Sequence, residues 1–208
     1  MRTEILPASS TGDILRALKV LSAGGLVAFP TDTVYGVGAL AFDGKAIESI
    51  YAAKDRPVEK AIPILISDMV ELDKVSTNIP EVALNLASHF WPGPLTILVP
   101  KRADLPDAVS ATPSVGVRVP DHEIARTLLR AAGPMAVTSA NISGGQSTVS
   151  AEEVFEQLEG RIPLIIDGGR TPGGIPSTLV DCTTPELKIL REGPLALEEL
   201  LSALDRAP

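Results

Sequence analysis

At 208 residues, 45% apolar and 21% charged with a mean hydropathy of +0.23, the chain is too apolar for intrinsic disorder and long enough to bury a core. Lys and Arg number 18 against 26 Asp and Glu, a net charge of −8, which is the wrong sign for a surface that wraps nucleic acid but allows a local basic pocket. Aromatic residues make up only 3%, so Val, Ile, Leu and Ala must fill the core, the mix expected of α/β strands covered by helices, and the length favours one domain.

Met1 to Pro7 hold no long apolar run, and no uninterrupted apolar stretch of about 18 residues occurs anywhere, which predicts a cytoplasmic chain with neither signal peptide nor membrane span. Ile14, Leu15, Leu18 and Leu21 recur at helical spacing before Gly24-Gly25, predicting a helix over 13–23. A short strand, Leu26 to Pro30, then empties into Thr31-Asp-Thr-Val-Tyr-Gly-Val-Gly38, which reads as a loop of hydroxyls and glycines suited to a site. Further helices are predicted at 44–53, 80–89, 121–131, 151–158 and 196–205, and strands at 62–67, 94–99, 115–119, 134–138, 163–167, 177–182 and 187–191. Strand follows strand near the C-terminus without a crossover helix, so the sheet should be mixed. Gly168 to Pro176 reads as a loop within the domain, open as to whether it is a lid.

Several familiar signatures fail. Gly36-Val-Gly-Ala-Leu-Ala41 has dinucleotide-fingerprint spacing but no strand leading directly into a helix, and Gly38 to Lys45 departs from a P-loop in spacing and ends in Ala46 where a hydroxyl should hold magnesium. His89 and His122 are not spaced as a metal pair, His122 reads as a helix-start residue, and no nucleophile elbow is present, so no metal site is assigned. The single cysteine, Cys182, sits in a strand-like run as a small buried hydrophobe.

What remains is a set of cations in unusual places. Lys54, Arg56 and Lys60 cluster around a proline, Arg118 closes a strand, and Arg191 ends another. Guanidinium groups grip phosphate or carboxylate bidentately and an ammonium adds a point charge, so the set suits a polyphosphate together with a carboxylate. The plain alternative is that each pairs with a surface acid. Thr31, Thr33, Ser139, Asn141, Ser143, Ser177 and Thr178 fall beside Gly or Pro in loops and at strand ends, where they could read a small polar ligand or serve only as turn chemistry.

Seven stretches, in order, resemble one known family. They are Phe29-Pro-Thr-Asp-Thr-Val-Tyr-Gly-Val-Gly38, Lys54-Asp-Arg-Pro57, Trp91-Pro-Gly-Pro-Leu-Thr96, Val117-Arg-Val-Pro-Asp121, Thr138-Ser-Ala-Asn-Ile-Ser-Gly144, Pro176-Ser-Thr-Leu-Val-Asp181 and Ile189-Leu-Arg-Glu-Gly193. Together they resemble the YrdC/TsaC family of L-threonylcarbamoyladenylate synthases. The resemblance implies a twisted mixed sheet with flanking helices and a concave, positively charged cavity. It implies that L-threonine, bicarbonate or CO2, and ATP carrying Mg2+ are condensed to threonylcarbamoyl-AMP with release of pyrophosphate. A separate transferase complex would then carry the group to tRNA, so tRNA is an indirect partner.

By matching motif, the resemblance implies that Thr33, Arg118, Ser139 and Ser177 hold threonine, with Arg118 on its carboxylate. Arg56, Lys60, Asn141 and Arg191 would hold ATP, with Lys54 and Arg56 as the catalytic cations and Lys54 facing the phosphates or the carbamate. Some relatives carry an amide at the Lys60 position and a histidine where this chain has Leu65, and Ser147 or Thr148 in the 144–149 loop are further candidate contacts. About 15 residues follow Gly193, so residues 1–208 are expected to be the short, single-domain form, closed by its own loops or by a partner. Truncating Arg56 or Arg118 to alanine is expected to lower activity strongly and spare the fold. Two other readings compete: an RNA-binding module of the same fold, and a carbamoyl-adenylating domain of a larger zinc-containing protein. The low aromatic content and negative charge weigh against the first, and the single cysteine against the second.

Overall fold

The structure, a computed structural model, describes residues 2–8 and 11–205. The chain runs through β1 (Glu4–Pro7), α1 (Thr11–Ser22), β2 (Val27–Phe29), β3 (Gly36–Leu40), α2 (Gly44–Lys54) and β4 (Ile64–Leu65). After a short 3-10 helix, Met69–Lys74, come α3 (Glu81–Phe90), β5 (Leu95–Pro100), β6 (Ser114–Arg118), α4 (Glu123–Ala132) and β7 (Met135–Ser139). The last third contributes α5 (Ala151–Leu158), β8 (Leu164–Asp167), β9 (Thr178–Asp181), β10 (Lys188–Arg191) and α6 (Leu197–Leu204). Each predicted helix is present, and His122 is indeed a helix N-cap.

All ten strands form one sheet in the order β1-β8-β2-β3-β7-β4-β6-β5-β9-β10. Parallel pairs (β1 with β8, β2 with β8, β4 with β6, β5 with β9) interleave with antiparallel ones, so the sheet is mixed as expected. Two strands depart from the sequence reading. β1 is an edge strand that pairs only with β8 among the described strands, a partner about 160 residues away that local pattern does not reveal. β3 begins inside the stretch read as a loop and takes its last three residues, Gly36 to Gly38, because its glycines are there for fit. A Cβ at Gly36 would lie 2.7 Å from Val137 Cγ1, and one at Gly38 would lie 2.7 Å from both Ala136 O and Val137 Cγ2.

Alternation along the strands sorts residues to two faces. Ala28 and Ile165 join a core built with Ile47 and Ile50 of α2, Leu86 of α3, Val154 of α5 and Leu200 of α6. Their neighbours Val27, Phe29, Leu164 and Ile166 join a second core under Leu21 of α1 and Leu128 and Leu129 of α4. The same alternation continues across β5, β6 and β9. Ile97, Val115, Val117 and Val180 enter the first core, while Thr96, Leu98, Gly116, Arg118 and Leu179 line a cavity instead. Leu65 and Val137 belong both to the second core and to the cavity wall. The α1–α4 pair therefore covers part of that sheet face, and the cavity takes the remainder. Among the described residues no helix is long and apolar enough to cross a membrane. Cys182 is buried, and burial pushes its thiol up to about 12.

Candidate active site

The cavity has a volume of about 340 Å³ and an unusual charge balance: Arg56, Lys60, Arg118 and Arg191 line it, and among the described residues no carboxylate does. Arg118, the last residue of β6, is 5% exposed and held on three sides. Its Nε donates to Gly93 O (2.9 Å), Nη1 to Thr33 Oγ1 (3.0 Å) and Nη2 to Asp32 Oδ1 (2.5 Å). Asp32 Oδ1 also accepts Asp121 N at 3.1 Å, which ties the β2–β3 loop to the start of α4. Two of the five guanidinium N–H groups are left for the cavity. Burial lowers the Arg118 pKa, and Asp32 opposes that shift.

Thr31 and Thr33 extend this network. Thr31 Oγ1 donates to Val34 O at 2.7 Å, so at the 3.0 Å contact between the two hydroxyls Thr33 is the donor. Thr33 also accepts from Arg118, and this leaves it a single lone pair for a ligand. Burying this loop requires close backbone approach. Gly174 N donates to Thr33 O at 2.8 Å, and a Cβ at Gly173 would lie 2.8 Å from Thr33 Cα. Tyr35 Oη, which donates to Gly169 O at 2.7 Å, fixes the same loop; burial first pushes its pKa up to about 12. The Gly168 to Pro176 segment is thus packed against the cavity rim at both its ends.

Arg56 follows the C-cap of α2, where Asp55 takes a left-handed conformation (φ 51°) that turns the chain off the helix. Its Nε and Nη2 donate to Lys60 O (3.1 Å) and Ala61 O (2.9 Å), and desolvation lowers its pKa. Across the cavity, Arg191 Nε and Nη2 donate to Ser177 O at 3.0 and 2.9 Å, and Nη2 also reaches Ser177 Oγ at 3.1 Å. Partial desolvation, then repulsion from Arg118 and Arg56, lowers the Arg191 pKa. Among the described residues neither Arg56, Lys60 nor Arg191 has a carboxylate partner. Of the five cations only Arg118 pairs with an acid among the described residues, and that acid, Asp32, is a largely covered residue of the β2–β3 loop and not a surface one.

Thr33, Ser139, Ser177, Arg56, Lys60, Arg118 and Arg191 all reach this one cavity, and Lys54 and Asn141 do not. Lys54 is 1% exposed behind the wall, and its Nζ donates to the backbone carbonyls of Ser139 and Asn141. Its own carbonyl accepts Ser143 N at 2.8 Å, so the end of α2 grips the exit of β7 twice. Burial, followed by the charge of Arg56, lowers its pKa to about 7. A phosphate-facing Lys54 is thus corrected to one that holds the strand end carrying Ser139. Asn141, 5% exposed, spends its Nδ2 on Ile142 O (2.8 Å) and Gly145 O (2.9 Å), and so shapes the following turn. Thr148 is corrected likewise: it is fully buried and bonds Ala140 O at 3.1 Å, while Ser147 does not line the cavity. Leu65 forms part of the apolar wall.

Sequence reasoning missed Asp32, Tyr35 and Thr96 as members of the site. All three lie inside the stretches that carried the family resemblance, which was the available signal. It also gave no role to Gly193. A Cβ there would meet Thr178 N and lie 2.6 Å from Ser177 C and 2.7 Å from Pro176 O. Gly193→Ala should push β10 off β9, lower stability by about 1–3 kcal/mol and displace Ser177. Thermal unfolding checks this, and an unchanged melting temperature would contradict the tight crossing.

A hydroxyl-rich cavity on the open part of a mixed sheet, with three cations that have no carboxylate partner among the described residues, is suited to small polyanionic ligands. Comparison with known sequences narrows this. A sequence model of the Sua5/YciO/YrdC family, described as "Telomere recombination", matches residues 19–193. The threonylcarbamoyl-AMP synthase of Pyrococcus abyssi is 46% identical over 179 residues, 85% of this chain and 53% of that protein. That of Bacillus subtilis is 40% identical over 92% of this chain and 57% of its own length. The crystal structure of P. abyssi Sua5 complexed with L-threonine matches with a TM-score of 0.94 and 42% identity, over 97% of this chain and 61% of that one. The chain spans a little over half the length of these relatives. It belongs to the Sua5/YciO/YrdC family, with the twisted mixed sheet and flanking helices that the resemblance implied.

Proposed function

We propose that this chain is a threonylcarbamoyl-AMP synthase, a nucleotidyltransferase that forms one unit over residues 1–208 and acts in the cytoplasm. The observation that carries the reading is the convergence of Arg56, Lys60 and Arg191, three cations without carboxylate partners among the described residues, on a cavity that also holds the Arg118–Thr33 pair. Arg56, Lys60 and Arg191 suit the phosphates of ATP, which brings its Mg2+ as part of the substrate. Arg118, with Thr33, Ser139 and Ser177, suits a zwitterion whose carboxylate needs donors and whose ammonium or hydroxyl needs an acceptor such as the open lone pair of Thr33.

The chemistry needs alignment more than a nucleophilic side chain. The threonine ammonium first gives one proton to solvent; the free amine then adds to the carbon of CO2, its next proton also passing to solvent, or to that of bicarbonate, its proton leaving with the bicarbonate hydroxyl as water, and the carbamate forms. A carbamate oxygen then attacks the α-phosphorus, and the bond to the bridging oxygen breaks with the electron pair leaving on pyrophosphate. Fixed cations that hold two anions together and offset charge on the departing oxygens supply the main catalytic effect. The product would pass to a separate transferase complex that acts on tRNA.

Pyrophosphate release from Mg-ATP and bicarbonate, measured with L-threonine, with L-serine and with no amino acid, tests this. Release should require L-threonine and yield a product with the mass of threonylcarbamoyl-AMP; ATP binding without turnover would sink the reading. Arg56→Ala should lower kcat/KM for ATP by about a hundredfold with little change in melting temperature. Equal losses of stability and activity would mark Arg56 as a brace for the 60–61 backbone.

A further inference from the structure

Thr96, on β5, is 1% exposed yet borders the cavity, and its Oγ1 lies 2.7 Å from Ser177 Oγ. Its methyl packs where β6 passes, since a Cβ at Gly116 would come within 3.0 Å of Thr96 Cγ2, so the hydroxyl is turned toward Ser177. Ser177 Oγ is the one partner of that hydroxyl among the described residues. Either hydroxyl could be the donor; the donor is assigned to Thr96 because it is the more deeply buried of the two, 1% against 3% exposed, so its hydrogen is the costlier one to leave without an acceptor. Ser177 Oγ accepts a second time from Arg191 Nη2 at 3.1 Å. Both of its lone pairs are then filled, and the only valence Ser177 can offer the cavity is its hydrogen.

We propose that Thr96 is a positioning residue: together with Arg191 it fixes the Ser177 hydroxyl as an obligate donor toward a carboxylate oxygen of the bound amino acid. Ser177 thereby complements Thr33, whose hydrogen is committed to Thr31 and which offers only a lone pair. Two hydroxyls with opposite fixed polarity would read the two ends of a zwitterion. This rests on the reading of the cavity as an amino-acid site.

The test is calorimetric titration of wild-type, Thr96→Val and Thr96→Ser proteins with L-threonine and, separately, with Mg-ATP. Valine keeps the shape and the methyl over Gly116 but frees the Ser177 hydroxyl to rotate and to accept. Thr96→Val should weaken L-threonine binding about tenfold, and Thr96→Ser should restore it. Arg191 keeps its two bonds to Ser177 O in either variant, so Mg-ATP affinity should move by less than about twofold. Wild-type affinity in Thr96→Val, a Thr96→Ser protein as weak as Thr96→Val, or equal losses for both ligands would each overturn the proposal while leaving the amino-acid site standing. A wild-type protein that bound no L-threonine would instead overturn the reading beneath it, and the proposal with it.

Discussion

Arg118→Met should cost about 3–5 kcal/mol of unfolding free energy, the range seen when one partner of a buried ion pair is removed. The loss comes less from the missing attraction than from what is left behind. Asp32, largely buried, would keep only the Asp121 N–H, and Gly93 O and Thr33 Oγ1 would lose their donors. Placement therefore revises the expectation that truncating this arginine spares the fold, because Arg118 is both a cavity cation and the tie between the β2–β3 loop, β6 and the start of α4. Adding Asp32→Asn to Arg118→Met should recover part of the loss, since the stranded charge is then removed. Urea unfolding of both variants checks this. A single variant within about 1 kcal/mol of wild type would mean that the pair behaves as a surface contact.

Lys54→Met should give a stability gap from wild type that widens with pH. Its amine is the donor to Ser139 O and Asn141 O, so methionine leaves two buried carbonyls unpaired. The pKa of Lys54 falls from an ordinary 10.5 to about 7 in the fold, chiefly through burial. Below about 7 the side chain is charged in both folded and unfolded states, and the fold bears the desolvation cost. Between that value and 10.5 the unfolded chain holds a proton that the folded one has released, so wild-type stability rises with pH. The methionine variant has no such gain. From pH 7 to 9 the gap should grow by about 2–3 kcal/mol, read as the difference between urea midpoints converted with a common slope. A gap independent of pH would show that Lys54 stays charged in the fold. Loss of activity should accompany the change, because the exit of β7 presents Ser139 to the cavity.

Helices such as α4 were legible because their apolar spacing and polar starts are local. β3 was not, since its glycines lower strand propensity and make sense only against the packed side chain of Val137. The site divides similarly. The cations were found as residue types at strand ends, and the resemblance gathered them into one place. Which of them face a ligand could not be read from that. Lys54 and Asn141 share their motifs with cavity residues, yet side-chain direction at a helix end and a strand exit turns both behind the wall. The hydroxyl network was equally hidden, because proton direction at Thr33 depends on the local turn that brings Val34 O to Thr31, and that at Ser177 on Thr96 and Arg191, which only the fold brings close.

On β5, β6 and β9 the residues that line the cavity, Thr96, Leu98, Gly116, Arg118 and Leu179, alternate with residues that belong to the core. Recognition and folding are thus written on alternate letters of the same strands. Leu98 and Leu179 can be exchanged by single codon changes that reshape the floor, while Ile97, Val115 and Val180 continue to hold the scaffold. A sheet left bare on one side in this way is a ready route by which descendants could take up a new small ligand without passing through an unfolded intermediate.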